Sequence, residues 1–185
     1  MRTNLYFVRH AHSIYTPEEL TRPLSEKGKA DALRVTSILA NEKIDVVISS
    51  PYKRAIQTVE GVADYIYQNV IIIDDFKERK LSEGPVADFE SAIRKVWEDE
   101  RFSWAGGESN LIAQKRGVEA THSVLETHEG KNIVIGTHGN LMVLIMNYFD
   151  KKYDFSFWSE LDMPDIYKLT FENGILVEVN RIWQG

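Results

Sequence analysis

Two histidines, two arginines and a glutamate of this chain each fall just behind a short apolar run. Arg9 and His10 close Leu5-Tyr6-Phe7-Val8, and His138 closes Ile133-Val134-Ile135-Gly136-Thr137. Arg54 follows Ile44–Ser49 in the first turn of an expected helix, and Glu78 follows Val70–Ile73. In an open α/β sheet ligands bind beyond the carboxyl ends of the strands, so these groups are expected to converge. Singly, each has an ordinary explanation: a histidine after a strand is commonly structural, an arginine a surface cation, and Glu78 part of a charged loop. Core packing does not call for all five at strand ends.

The chemistry this set suggests is phosphoryl transfer. Planar guanidinium groups bind a phosphoryl group through several hydrogen bonds at once, which suits Arg9 and Arg54 to a phosphate clamp. A helix beginning near Gly139 adds backbone N–H donors and a partial positive charge. A neutral imidazole can attack phosphorus and form a phosphohistidine. A protonated carboxyl can pass its proton to the leaving oxygen, and as a carboxylate can then activate water. The cations neutralise the charge that builds up in the transition state, so the scheme calls for no metal and no cofactor.

The elements that must position these groups alternate. Strands are expected over residues 4–9, 44–49, 70–73 and 133–137. Helices are expected from Ser25 to about Asn41, from an N-cap at Ser50 with Pro51 at the first helical position to about Gln68, over Phe89–Glu100, from Ser109 to about His128, and over Asn140–Asp150. Ile44–Ser49 is continuous and rich in β-branched residues, as a strand buried on both faces should be. Asn173-Gly174 between Ile166–Glu172 and Ile175–Ile182 signals a hairpin turn. The pattern predicts an α/β fold of three layers: a mostly parallel central sheet of about six strands, helices on both faces, and an antiparallel C-terminal hairpin at or near an edge. Residues 1–185 are read as one domain, with 74–107 as an excursion from the core, a short lid.

The chain has 185 residues, 43% of them hydrophobic and 27% charged, enough for a sizeable core without staples. It has no cysteine, which excludes disulfides, thiolate nucleophiles and Cys-ligated zinc. A net charge of -6 argues against wholesale nucleic-acid binding but permits a local basic pocket for an anion. Leu5–Val8 is too short for a signal-peptide core and Leu141–Met146 too short for a membrane span, so no membrane association and a cytoplasmic location are expected. Oligomeric state is not legible.

The sequence resembles the histidine phosphatase superfamily, also called phosphoglycerate mutase-like proteins, along nearly its whole length. Arg9-His10-Ala11 resembles the Arg-His-Gly/Ala signature, and Pro23-Leu24-Ser25-Glu26-Lys27-Gly28 the Pro-Leu-Thr/Ser-x-x-Gly segment. Ser49–Thr58 is similar to Ser-Ser-x-x-x-Arg-Ala-x-Gln-Thr, Phe76-Lys77-Glu78 to Leu-x-Glu, Gly106–Ser109 to Gly-Gly-Glu-Ser, and Gly136–Gly139 to Ser/Thr-His-Gly. The resemblance implies a nucleophile at His10, a phosphate pocket of Arg9, Arg54, His138 and Gly139, a general acid and base at Glu78, and a hydroxyl near the nucleophile at Ser13. Departures are His12, where many members have Glu or Gln, Thr16, where the mutase-like branch has Asn, and a blurred stretch after Glu78.

The resemblance implies a phosphatase rather than a mutase, because the segment between Glu78 and Gly106 lacks the long basic insertion of cofactor-dependent mutases, and a short lid admits water. The expected partner is a small phosphorylated substrate. Lys77, Arg79 and Lys80 are read either as a second anion site or as solvated loop, and Val86, Phe89, Ile93, Val96, Trp97, Phe102 and Trp104 as packing of the lid or lining of the substrate pocket. Two rivals are a metal-dependent hydrolase using His10, His12 and His138, which the arginines disfavour electrostatically, and a phosphate-binding module without turnover, disfavoured by the full set of chemical groups. Phosphoryl transfer of the mutase type is the remaining alternative.

Overall fold

The computed structural model describes residues 1–185. Six strands form one sheet: β1 (Arg2–Arg9), β2 (Val46–Ser49), β3 (Ile71–Ile72), β4 (Asn132–Thr137), β5 (Asp165–Glu172) and β6 (Ile175–Arg181), in the order β3-β2-β4-β1-β5-β6. The three pairings from β3 to β1 are parallel, and β5 and β6 add antiparallel. The C-terminal hairpin thus forms one edge. Its turn residues Asn173 and Gly174 have φ of 50° and 80°, as a tight turn matched to strand twist requires.

Alternation along β1 sorts the core into two layers. Leu5 and Phe7 face one way and pack with α4 (Asn110–Thr127) and α5 (Gly139–Phe149). Tyr6 and Val8 face the other and pack with α1 (Glu26–Leu39) and α2 (Lys53–Tyr65). β1 is central and buried on both faces, which accounts for its unbroken apolar run. The expected layers, sheet and edge hairpin are therefore those observed.

Several boundaries differ. The third strand is only Ile71–Ile72, both exposed on the outer edge. The second helix starts at Lys53 with Tyr52 as N-cap, so Ser50 does not cap it and Pro51 precedes it. Ser50 has a tertiary partner instead, described below. Residues 74–107 fold as a 3-10 turn, Asp74–Phe76, loops, and α3 (Phe89–Glu98), capped by Asp88. A short helix, α6 (Phe155–Ser159), has no counterpart in the sequence reading; Asp154 caps it by accepting from Phe157 N–H.

Register brings the strand ends level. Arg9 lies opposite Thr137, and Ser49 opposite Gly136. Pairing continues one residue further, with His10 N–H donating to Thr137 O and Ser50 N–H to Gly136 O. The chain leaves β1 and β2 toward the α1/α2 face and leaves β4 toward the α4/α5 face. That reversal opens a crevice beyond β4, where an open α/β sheet binds its ligand.

Candidate active site

His10 is the first residue beyond β1, and it is buried. Its Nδ1 lies 2.8 Å from Ala11 O. A carbonyl only accepts, so Nδ1 carries the proton and Nε2 is left with a lone pair. Arg54 Nε donates to that Nε2 at 3.3 Å. Burial first, then the charges of Arg54, Arg9 and Arg22, push the His10 pKa down to about 3 against the opposing bond to Ala11. The ring is thus neutral at physiological pH, with its lone pair directed at a cation. Ala11 N–H donates to Thr58 Oγ1, and the Thr58 hydroxyl donates to Arg54 O, so one threonine couples the β1 end to the first turn of α2.

Arg54 is buried and spends its fork in three directions. Besides His10, Nη1 donates to Glu19 O at 2.9 Å and Nη2 to Glu19 Oε2 at 2.8 Å. Glu19 Oε1 in turn pairs with Arg22 Nη2 at 2.8 Å, and Arg22 also donates to Thr16 O. The loop between β1 and α1 therefore places a carboxylate between two cations beside His10. Arg22 belongs to the electrostatics of the site although it was not singled out in the sequence. Its signal was position, directly before Pro23-Leu24-Ser25.

His138 lies beyond β4 as the N-cap of α5, fully buried. Its ring meets His10 edge-on at 5.2 Å between centroids and Tyr52 at 4.9 Å. Nε2 lies 2.8 Å from Ser50 Oγ, while Nδ1 is buried with no protein partner. The Ser50 oxygen also accepts from Tyr52 N–H. This is why Ser50, a cap by sequence, faces inward. Burial, then His10, Arg54, Arg116 and Arg9, hold the His138 pKa well below the ordinary histidine value, so this ring is neutral too.

Glu78 reaches the same rim from the 74–107 segment. Its Oε2 accepts from Asn140 N–H at 3.1 Å, and Oε1 accepts from Leu141 N–H at 3.0 Å and Arg79 N–H at 2.8 Å. The first turn of α5, expected to offer its donors to phosphate, thus directs those of Asn140 and Leu141 to this carboxylate. Arg9 lies alongside. Its Nη1 donates to Leu161 O and Asp162 O, and its Nε is buried without a partner. Burial lowers the Arg9 pKa, and Glu78, Asp165 and Asp162 oppose the shift. Gly139 makes this approach possible: a Cβ there would stand 2.9 Å from Arg9 Nε.

His10 contacts both Arg54 and His138, and Glu78 and Arg9 adjoin them across the start of α5. Ser13 sits at the edge, its backbone bridging Leu24. His12 is exposed and turns Nδ1 to Ser25 Oγ at 2.8 Å, away from the two buried imidazoles, so the three histidines do not form a ligand set. A cleft of about 470 Å³ opens from Arg9 between α3 and α6, lined also by Arg94, Phe155 and Trp158. Of the basic run after Glu78, Lys77 pairs with Asp74 and Lys80 is exposed, whereas Arg79 is buried with Nε and Nη1 unpartnered. Ile93 and Val96 are buried, so they pack α3 down, while Phe89 is exposed.

Residues 5–180 match the family model described as the histidine phosphatase superfamily, branch 1. Among curated proteins, phosphoglycerate mutase-like protein 4 of Arabidopsis thaliana is 31% identical over 73% of this chain and 66% of its own length. Phosphoserine phosphatase 1 of Hydrogenobacter thermophilus is 28% identical over 72% and 70%. The chain thus aligns with about two thirds of these relatives' lengths. Among solved structures, a mycobacterial glucosyl-3-phosphoglycerate phosphatase superposes with a TM-score of 0.79 at 18% identity, covering 98% of this chain and 97% of that one. The phosphoserine phosphatase of Entamoeba histolytica, solved with 3-phosphoglyceric acid, gives 0.78 at 20%, covering 96% of each. At these identities the structural matches establish the fold.

Proposed function

Because the chain belongs to the histidine phosphatase superfamily, branch 1, we propose that it is a metal-independent phosphomonoester hydrolase working through a phosphohistidine on His10. The observation that carries this reading is the state of His10: Nδ1 tied to Ala11 O, Nε2 bearing the lone pair, and Arg54 beside it. In the first step Nε2 attacks phosphorus, the bond from phosphorus to the leaving oxygen breaks, and Glu78, protonated, gives its proton to that oxygen. In the second step water attacks the phosphohistidine, Glu78 takes the water proton, and inorganic phosphate leaves with the imidazole restored.

Each remaining group has a task in this scheme. Arg54 and Arg9 hold the equatorial oxygens, so a phosphoryl group must compete with Glu19 for Arg54. With Ser50 donating to Nε2, His138 presents Nδ1–H as a donor with no protein acceptor. Such a donor suits a phosphoryl oxygen and does not repel it as a carboxylate would. Ser13 and the Gly139 backbone complete the rim. The short segment 74–107 leaves water a path to the intermediate, which favours hydrolysis over transfer. The names of the relatives make small phosphorylated metabolites such as phosphoserine and phosphoglycerates the first substrates to try.

The deciding experiment traps the intermediate. Brief incubation with labelled substrate and a denaturing quench should leave acid-labile label on the wild-type protein and none on His10→Ala. Label that persists in His10→Ala refutes the nucleophile. Products divide the remaining alternatives: free phosphate means hydrolysis, isomerised phosphoglycerate means mutase chemistry, and bound substrate with no product means a binding module.

A further inference from the structure

Glu78 is held at its carboxylate by the start of α5, and the loop that carries it is held by a second device on α4. Arg116 donates through Nη1 to Asp75 O at 2.7 Å and Lys77 O at 2.9 Å, and through Nη2 to Glu78 O at 3.3 Å. The same guanidinium forms a two-point pair with Glu108, Nε to Oε1 at 2.7 Å and Nη2 to Oε2 at 2.9 Å. Glu108 closes the ring with its own N–H, which donates to Lys80 O at 2.7 Å. Residues 75–80 are therefore clasped along their backbone by one ion pair, and every partner of Arg116 is either that loop or the carboxylate that orients it.

The clasp is anchored where it matters. Gly117, next to Arg116, lets α4 lie so close to α5 that a Cβ there would stand 2.9 Å from Ile145 Cγ1 and 3.0 Å from Leu141 Cδ1. Leu141 is also a residue whose N–H binds the Glu78 carboxylate. The helix pair that binds the carboxylate at one end thus fixes its backbone at the other. Both partners of the ion pair are largely shielded from water, with side chains 15% and 19% exposed, so the pair is not an ordinary surface one.

We propose that Arg116, oriented by Glu108, is a positioning residue for the proton transfer of Glu78. The inference rests on Glu78 being the general acid. A guanidinium is the group for this task, because five donors in a fixed plane reach three carbonyls and a carboxylate together, which an ammonium cannot do. Displacing the acid by about 1 Å costs on the order of 100-fold where its proton is needed, and little where it is not.

The test uses leaving groups. Arg116→Met should lower kcat/KM, which reports the step that expels the leaving group, by about 10- to 100-fold for an alkyl phosphate such as phosphoserine, while kcat/KM for p-nitrophenyl phosphate, whose leaving group needs no proton, changes by less than about threefold. Arg116→Lys should not restore the alkyl rate. Combined with Glu78→Gln, Arg116→Met should add no further loss on the alkyl ester, because the group it positions is already gone. Glu108→Gln repeats the set with a smaller lesion should Arg116→Met fold poorly. Losses equal for both leaving groups, or a full additional loss in the double variant, overturn the positioning role. If Glu78→Gln alone lowers kcat/KM equally for both substrates, the acid assignment fails and the proposal fails with it.

Discussion

His10 and His138 are placed by the strands they follow and Arg54 by the first turn of α2, whereas Glu78 is held by side chains and helix N–H groups from distant parts of the chain. On the side of the proposed nucleophile, register does most of the placing: His10 and Ser50 continue the ladders onto β4, and Thr58 ties β1 to α2. The side of the proposed acid has little sheet beneath it, since its strand is two exposed residues long. Its geometry comes from Arg116, Glu108 and the first N–H groups of α5. The nucleophile side therefore draws on the cooperative stability of the sheet, and the acid side on a few polar contacts that can open locally.

Core truncation gives the sharpest contrast. Phe7 is fully buried at the centre of the sheet and meets Phe76 edge-on, 6.4 Å between centroids. Phe7→Ala should cost about 3–5 kcal/mol, read as a fall in the urea midpoint for the whole protein. Ile93 is as well buried, but on α3. Ile93→Ala should cost about 2 kcal/mol, and that loss should appear first as faster amide exchange over residues 89–98, with β1 and β4 still protected. Equal exchange in both regions for both variants would mean that 74–107 is an ordinary part of the cooperative core.

Acid should act on the nucleophile side. The His10 pKa falls on folding from an ordinary 6.5 to about 3, through burial first and then Arg54. Between these values the unfolded chain binds a proton that the folded one refuses, so stability is full above pH 6.5 and is lost as pH falls toward 3. The loss from His10 alone is about 2 kcal/mol between pH 7 and pH 5, and the shift at His138 adds in the same direction. His10→Gln should therefore lose about 2 kcal/mol less than the wild type over this interval in urea titrations at the two pH values. Identical losses would mean that the folded protein protonates His10 near its ordinary pKa.

The same division decides what is legible in the sequence. Arg9, His10 and His138 were legible because each ends an apolar run, and a strand end fixes where the next side chain goes. Ser50 was misread because a serine before a proline satisfies the local rule for a helix cap, while the deciding partner, His138, lies 88 residues away. Arg116 was passed over because an arginine within a helix reads as a solvated face; only the folded chain brings three carbonyls to it. The helix Phe155–Ser159 escaped because five residues carry too little periodicity to register. Local rules recover what one segment determines and miss what two distant segments determine together.

Two helix caps offer the finest comparison, one on each side. Ser25 caps α1 by accepting from Gly28 N–H at 3.1 Å, and Ser109 caps α4 by accepting from Ile112 N–H at 3.2 Å. Replacing either with alanine removes one acceptor from a helix start and should cost about 1 kcal/mol. The consequences for turnover should differ. α1 carries none of the groups proposed to move a proton, so Ser25→Ala should leave the ratio of alkyl to p-nitrophenyl phosphate kcat/KM values unchanged. Ser109 lies between Glu108 and the helix that bears Arg116, so fraying there loosens the clasp. Ser109→Ala should lower that ratio by about two- to threefold, the share of the Arg116 effect expected of a frayed turn that still refolds. The same ratio in both variants would show that the first turn of α4 does not tighten the clasp, and would move control of the acid entirely onto the α5 terminus.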